Sequence, residues 1–145
     1  MSMWEPFTKD ARQAIVLART AARDKGFKFI GNQHLLLGLM SVPEGVAHQV
    51  LVAAGVSPEK LQHAADAAVS AVAKTTEEME FTTDAKHTIE EAFAAAFRLH
   101  HKVIGSGHLL VGLLADTAIA AQIFDALAID RETLKKDTIA RLQQI

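Results

Sequence analysis

The sequence contains no cysteine and no tyrosine, and only one tryptophan and three prolines. Without thiols there can be no disulfide, no thiolate nucleophile and no thiolate-bound zinc. Charge of one sign is also scarce: fifteen Lys and Arg stand against seventeen Asp and Glu, a formal net charge of −2. That balance argues against a protein whose main work is gripping phosphate backbones, so no nucleic-acid partner is expected. No apolar run approaches the roughly 18 residues that span a bilayer. The opening Met1-Ser2-Met3-Trp4-Glu5-Pro6-Phe7 has neither the basic nor the apolar region of a secretory signal. A cytoplasmic protein with no membrane partner is the expectation. What is plentiful is aliphatic carbon, because half of the 145 residues are hydrophobic. A chain of this length buries roughly 70% of its unfolded surface as one domain, without a metal or crosslink.

The chain repeats itself. Phe7-Thr8-Lys9-Asp10-Ala11-Arg12 recurs 74 residues later as Phe81-Thr82-Thr83-Asp84-Ala85-Lys86. The same shift carries Ile30-Gly31-Asn32-Gln33-His34-Leu35-Leu36-Leu37-Gly38-Leu39 onto Ile104-Gly105-Ser106-Gly107-His108-Leu109-Leu110-Val111-Gly112-Leu113. Beyond that the register slips to 73, where Val46-Ala47-His48-Gln49-Val50-Leu51 matches Ile119-Ala120-Ala121-Gln122-Ile123-Phe124. A match over most of each half, with one deletion, identifies a duplicated unit. The first copy covers about residues 7–73, a polar linker about 74–80, and the second copy about 81–144.

Each unit reads as four helices. The first starts at Thr8, a good N-cap, carries Ala11, Ala14, Ile15, Ala18 and Ala22 at helical spacing, and stops near Gly26. Asn32 is expected to cap a second helix, residues 44–54 form a third, and Ser57-Pro58 opens a fourth that runs to about Ala73. The second unit repeats the plan from Thr82 to about Lys102, Ser106 to about Ala115, about Thr117 to Leu127, and Asp130 onward. No sustained period of two appears in β-branched residues, so strands are not expected. The fold class is therefore all-α, eight helices in two pseudo-twofold-related four-helix repeats.

Catalytic patterns fail on their context. Gly26-Phe27-Lys28-Phe29-Ile30-Gly31 has phosphate-loop spacing, but Asn32 and Gln33 stand where Lys and Ser or Thr are required, and it follows a helix. His100 and His101 are adjacent and face apart, and the sequence holds no H-E-x-x-H. His34 and His108 occupy matching places; a histidine that packs its ring and bonds a neighbouring loop, made twice by duplication, explains them better than a metal site. The pairs Glu77/Glu78 and Glu90/Glu91 read as solvated surface, and no G-x-S-x-G nucleophile elbow is present. No catalytic residue, metal or cofactor is expected.

The repeated Phe-Thr-x-x-Ala-(Arg/Lys) and Ile-Gly-x-x-His-Leu-Leu-x-Gly-Leu segments make the chain resemble the N-terminal repeat domain of Clp/Hsp100 unfoldases, most closely the ClpC type of actinobacteria. The resemblance covers about residues 4–144. It implies a domain that sits above an ATP-driven ring and receives adaptors, degradation-marked substrates and cyclic peptide antibiotics. The ATPase modules are absent from this sequence, so it implies either an excised domain or a free-standing paralogue.

In some ClpC proteins, acidic residues of the Gly-Thr-Glu-His-type motif bind phosphorylated arginine through charge-assisted hydrogen bonds. Here those positions read Gln33 and Gly107. An amide supplies no ionic pairing and glycine no side chain, so phosphoarginine recognition is expected to be weakened or lost. The resemblance further implies a site for cyclic peptides of the cyclomarin type between the N-terminal segment and the fifth helix. Matching positions are Trp4, the neighbourhood of Phe7, Ile15, Glu78 and Phe81, followed by Lys86, Glu90, Phe93 and Phe97. The last four recur at i, i+4, i+7 and i+11, one stripe of a helix. Trp4 precedes the first helix and is expected to be partly exposed, whereas Phe7, Phe81, Phe93 and Phe97 read equally as core.

The expected function is a non-catalytic binding module for Clp adaptors, substrate peptides or cyclic peptide antibiotics, acting as a monomer and, if free-standing, as a decoy or regulator. Two alternatives remain open: the excised N-terminal part of an ATP-dependent ClpC unfoldase, and an unrelated helical scaffold that only oligomerises.

Overall fold

Thr8 and Thr82 begin the two repeats in the same way. Each side-chain oxygen accepts a hydrogen bond from the backbone N–H three residues on, Ala11 at 3.3 Å and Ala85 at 3.1 Å, so each removes an orphan donor from a helix start. The computed structural model of the chain describes residues 5–69 and 80–144. Among these, the first repeat forms α1 (Lys9–Asp24), β1 (Phe29–Ile30), α2 (Asn32–Met40), α3 (Val46–Ala53) and α4 (Pro58–Val69). The second forms β2 (Glu80–Phe81), α5 (Thr83–Arg98), α6 (Ser106–Leu114), α7 (Ile119–Ala126) and α8 (Arg131–Leu142). The chain thus adopts the expected all-α architecture of two four-helix repeats.

The expected apolar stripe of α1 is the buried one: Ala11, Ala14, Ile15, Ala18 and Ala22. Other boundaries move. Gly31, not Asn32, caps α2, and the His34 ring at the third helical position reaches back to accept the Gly31 N–H, the reciprocal half of a capping box. Helix α5 ends at Arg98 rather than about Lys102, since His100 turns into the left-handed region at φ 60°. The end of α4 near Ala73 and residues 74–79 of the expected linker, about 74–80, lie outside the described residues, and Glu80 at the end of that linker belongs to β2 instead.

The strands were not anticipated. β1 and β2 pair in parallel, Phe29 with Glu80 and Ile30 with Phe81, and an isolated bridge joins Phe7 to Ile104. Two residues are too few to leave an alternating pattern in a sequence. Their placement is informative: Phe81 and Phe7 are repeat equivalents, and so are Ile30 and Ile104. Each repeat's Phe-Thr segment therefore lies against the other repeat's Ile-Gly turn. The Thr82 N–H donates to Ile30 O at 2.9 Å, and the Thr8 N–H donates to Ile104 O at 2.9 Å.

Helix packing crosses over in the same sense. α3 packs on α8 and α4 on α7, while α2 and α6 meet each other at the centre. These two central helices are apolar on nearly every side, and all nine residues of α6 are buried, as a helix enclosed by neighbours requires. One hydrophobic cluster runs through both repeats, joining Phe7, Leu36 and Leu51 to Leu110, Phe124 and Leu134. The halves are intertwined around one core rather than standing as two bundles in contact.

The motif glycines set how closely the helices approach. A Cβ on Gly38 would lie 2.1 Å from the Ala14 carbonyl oxygen of α1, and one on Gly112 would lie 2.4 Å from the Thr88 carbonyl oxygen of α5. Both are backbone atoms, so neither contact can be relieved by a rotamer change. Gly38→Ala is accordingly expected to destabilise the fold by about 2 kcal/mol, or ~8 °C in Tm. Gln13→Ala on the exposed face of α1 serves as the control and should stay within ~0.5 kcal/mol. Thermal and urea unfolding check this; a Gly38→Ala variant stabilised by its better helix propensity would contradict it.

Candidate functional site

The crossed pairing brings residues from distant parts of the sequence to one groove of about 400 Å³. One wall is the outer face of α1, with Arg12, Ile15, Val16 and Arg19; the other is Ile30 of β1 with Glu80 and Phe81 of β2. The burial of the α1 stripe turns this face outward: Ile15 closes the core at 7% exposure, and its neighbour Val16 is left 61% exposed. Phe81 sits half-buried between core and solvent. A groove with an apolar floor and charged side chains at its edges suits an apolar side chain carried on a longer polar ligand.

Of the residues singled out from sequence, Ile15 and Phe81 meet in this groove. Lys86, Glu90, Phe93 and Phe97 form the expected stripe, all on the solvent side of α5. The alternative that Phe93 and Phe97 are core residues does not hold, since they are 39% and 82% exposed. Phe93 rests its ring edge-on against Phe7, with centroids 5.5 Å apart at 86°, and Phe7 is a core residue at 2% exposure. Trp4 and Glu78 lie outside the described residues. Sequence reasoning missed Arg12, Val16, Arg19 and Glu80. A usable signal was there: Ile15 and Val16 are adjacent on an amphipathic helix, so only one can face the core. Arg12 and Arg19 fall at i−4 and i+3 of the exposed Val16, on the same face.

Gln33 is buried at the start of α2. Gly107 is roofed by other helices: a Cβ there would lie 2.7 Å from Leu142 Cδ2 of α8 and 3.1 Å from Val46 Cγ1 of α3. Neither position presents a carboxylate.

His34 and His108 do what the ring-packing reading requires. Each Nδ1 accepts the backbone N–H of the glycine before its helix, Gly31 at 2.9 Å and Gly105 at 2.8 Å. Phe27 packs on His34, and at the equivalent place His101 packs on His108, both with ring centroids 5.1 Å apart. Because Nδ1 accepts, neutral His108 carries its proton on Nε2 and can donate it to His101 Nδ1 at 2.9 Å. Burial holds both His34 and His108 down to about 4, and the neighbouring His101 adds to the effect at His108. Among the described residues no group of three or more His, Asp or Glu side chains is arranged to hold a metal.

The Clp repeat (R) N-terminal domain matches the chain twice, over residues 6–80 and 80–145. The chaperone protein ClpC2 of rice chloroplasts (Oryza sativa subsp. japonica) is 34% identical over 146 residues, covering 95% of this chain but 15% of the rice protein. The N-terminal domain of the chaperone ClpD from Arabidopsis thaliana superposes with a TM-score of 0.79 at 26% identity, covering 97% of this chain and 99% of that one. The ClpV N-domain, solved in complex with a VipB peptide, shares the fold with a TM-score of 0.72 at 21% identity, covering 90% of this chain and 83% of its own.

The histidines carry a pH prediction. Their folded values lie below the free value of 6.5. Between pH 6.5 and about 4 the unfolded chain therefore binds protons that the folded chain refuses, and stability falls as pH falls through that window. The urea midpoint should drop between pH 7 and pH 4.5. His34→Gln with His108→Gln, whose amide oxygens can still accept the glycine N–H, should remove much of the slope. An unchanged slope in the double variant would contradict this assignment.

Proposed function

The chain belongs to the Clp repeat N-terminal domain family, and from that premise we propose that it is a non-catalytic docking module, with adaptors, substrate peptides and cyclic peptide antibiotics of the cyclomarin type as its ligands. The observation that carries this reading is the groove between α1 and β2, in which Ile15 and Phe81 converge from different repeats. Phe81 offers a wide apolar surface at low rotamer cost, the chemistry of a binding hot spot. The ClpV N-domain, a protein of the same fold solved with a peptide bound, supports peptide docking as the general mode. The α5 stripe of Lys86, Glu90, Phe93 and Phe97 adds exposed aromatic area for a ligand wider than the groove.

In this reading the module works in the cytoplasm as a monomer and carries no chemistry of its own. As a free-standing protein it acts as a decoy or regulator, drawing compounds away from an unfoldase. Such a decoy must bind about as tightly as the unfoldase it protects, because competing sites share ligand by mass action. A second reading is favoured by the chain's 15% share of the rice protein's length: it is the receiving domain of an ATP-dependent ClpC unfoldase. A native reading frame that continues past Ile145 into nucleotide-binding motifs would select the second.

Phosphoarginine is not among the ligands in this proposal. Buried Gln33 and roofed Gly107 leave no carboxylate for a guanidinium.

Isothermal titration tests the whole assignment. A cyclomarin-type cyclic peptide is expected to bind, and Phe81→Ala to weaken it about tenfold or more, the loss of ~1.4 kcal/mol or more. Free phosphoarginine is expected to give no heat at millimolar concentration. No binding of the cyclic peptide, equal binding by Phe81→Ala, or micromolar phosphoarginine affinity would each contradict the corresponding part.

A further inference from the structure

The duplication supplies a built-in control for the groove. Repeat symmetry maps Arg12 onto Lys86, Val16 onto Glu90 and Arg19 onto Phe93, with Phe81 corresponding to Phe7. The two places have diverged. On the α5 side, Phe93 lays its ring edge-on against Phe7 at 5.5 Å, and Phe7 is buried at 2% exposure. On the α1 side the equivalent residue is Arg19, Phe81 is half-buried, and both line a groove of about 400 Å³. Arg19 thus lines the groove at the position where the other repeat carries a phenylalanine packed on Phe7.

The same substitution changes the charge. Arg12 and Arg19 lie seven residues apart on α1, about 10 Å along the axis, with exposed Val16 between them. No ion pair holds either guanidinium among the described residues. Among the described residues the opposite wall contributes one carboxylate, Glu80. Among those residues the edge therefore carries two guanidinium groups and one carboxylate over an apolar floor of Ile15, Val16, Ile30 and Phe81. An extended peptide places residues i−2, i and i+2 on one face and spans ~13 Å between the outer two, a length that two swinging arginine side chains match. The forked donors of an arginine match a carboxylate with two parallel hydrogen bonds.

We propose that this groove selects acidic peptides, taking one large apolar side chain against Phe81 and Ile15 while Arg12 and Arg19 hold carboxylates two residues to either side. The inference rests on the groove being a peptide-docking site and adds the class of peptide and the residue that sets it.

The test uses a twelve-residue peptide carrying Glu-Ser-Phe-Ser-Glu within a Gly/Ser frame, and its analogue with both glutamates replaced by glutamine. Each is titrated against the 15N-labelled protein and followed by amide shifts. The acidic peptide is expected to bind at least about fivefold more tightly at low salt, with the advantage shrinking in ~0.5 M NaCl. Arg19→Glu should abolish that preference while the glutamine peptide still binds. Arg19→Phe should cover Phe81 and weaken both peptides. Equal affinities for the two peptides, or a preference that survives Arg19→Glu, would overturn the charge selection and leave the groove itself standing. No shifts at Ile15, Ile30 and Phe81 with either peptide would overturn both.

Discussion

Each repeat holds its Phe-Thr segment only because the other repeat offers an edge to hold it. The Thr82 N–H reaches Ile30 O, and the Thr8 N–H reaches Ile104 O; neither bond can form inside one repeat. These are short contacts, but they fix which helices meet. With the two segments exchanged, α3 lies on α8 and α4 on α7, and the apolar surfaces of α2 and α6 close against each other as one core. A single repeat would leave helix α2 or α6 open to water on a face that carries almost no polar side chain, so neither half has a complete core alone. The groove is a by-product of the same exchange: Phe81 of the second repeat can stand beside Ile15 of the first only because β2 pairs with β1.

Duplication followed by divergence explains why the two halves are alike in frame and unlike at the surface. The frame residues come in matched pairs: two threonine caps, two cap-reaching histidines, and two glycines at the tight helix crossings. Each is tied to a backbone atom, so a change is costly in either copy. Side chains that touch only other side chains are freer. Phe27 against His34 becomes His101 against His108, exchanging an apolar ring for a hydrogen-bonding one in the same packing place. Arg19 and Phe93 differ more sharply, and with them the shape and charge of the surface.

Legibility from sequence follows the same division. The helices of α1 and α5 were readable because their buried stripes recur at 3.6-residue spacing behind a threonine cap. The early end of α5 was not, since Leu99-His100-His101-Lys102 contains no helix breaker and it is the left-handed turn at His100 that stops it. Asn32 looked like a cap because its residue type is a good one. Gly31 takes the cap position instead and donates its N–H to the His34 ring, and the Asn32 side chain is buried with no hydrogen-bond partner among the described residues. The strand pairing left no trace in composition, as two-residue elements cannot. Ile15 and Phe81 were named in advance through the family resemblance, whereas Arg12 and Arg19 needed the folded wall to show that they flank the same groove.

Through their exchanged segments the two repeats make one cooperative unit. Native-state hydrogen exchange at the Thr8 and Thr82 amides measures this most directly, with Leu36 and Leu110 in the central helices as reference. All four are predicted to exchange only through global unfolding, at one common free energy set by the whole domain. Thr8 and Thr82 exchanging far more easily than the reference amides, or Leu36 and Leu110 separating into two levels, would show repeats that open independently and would contradict it.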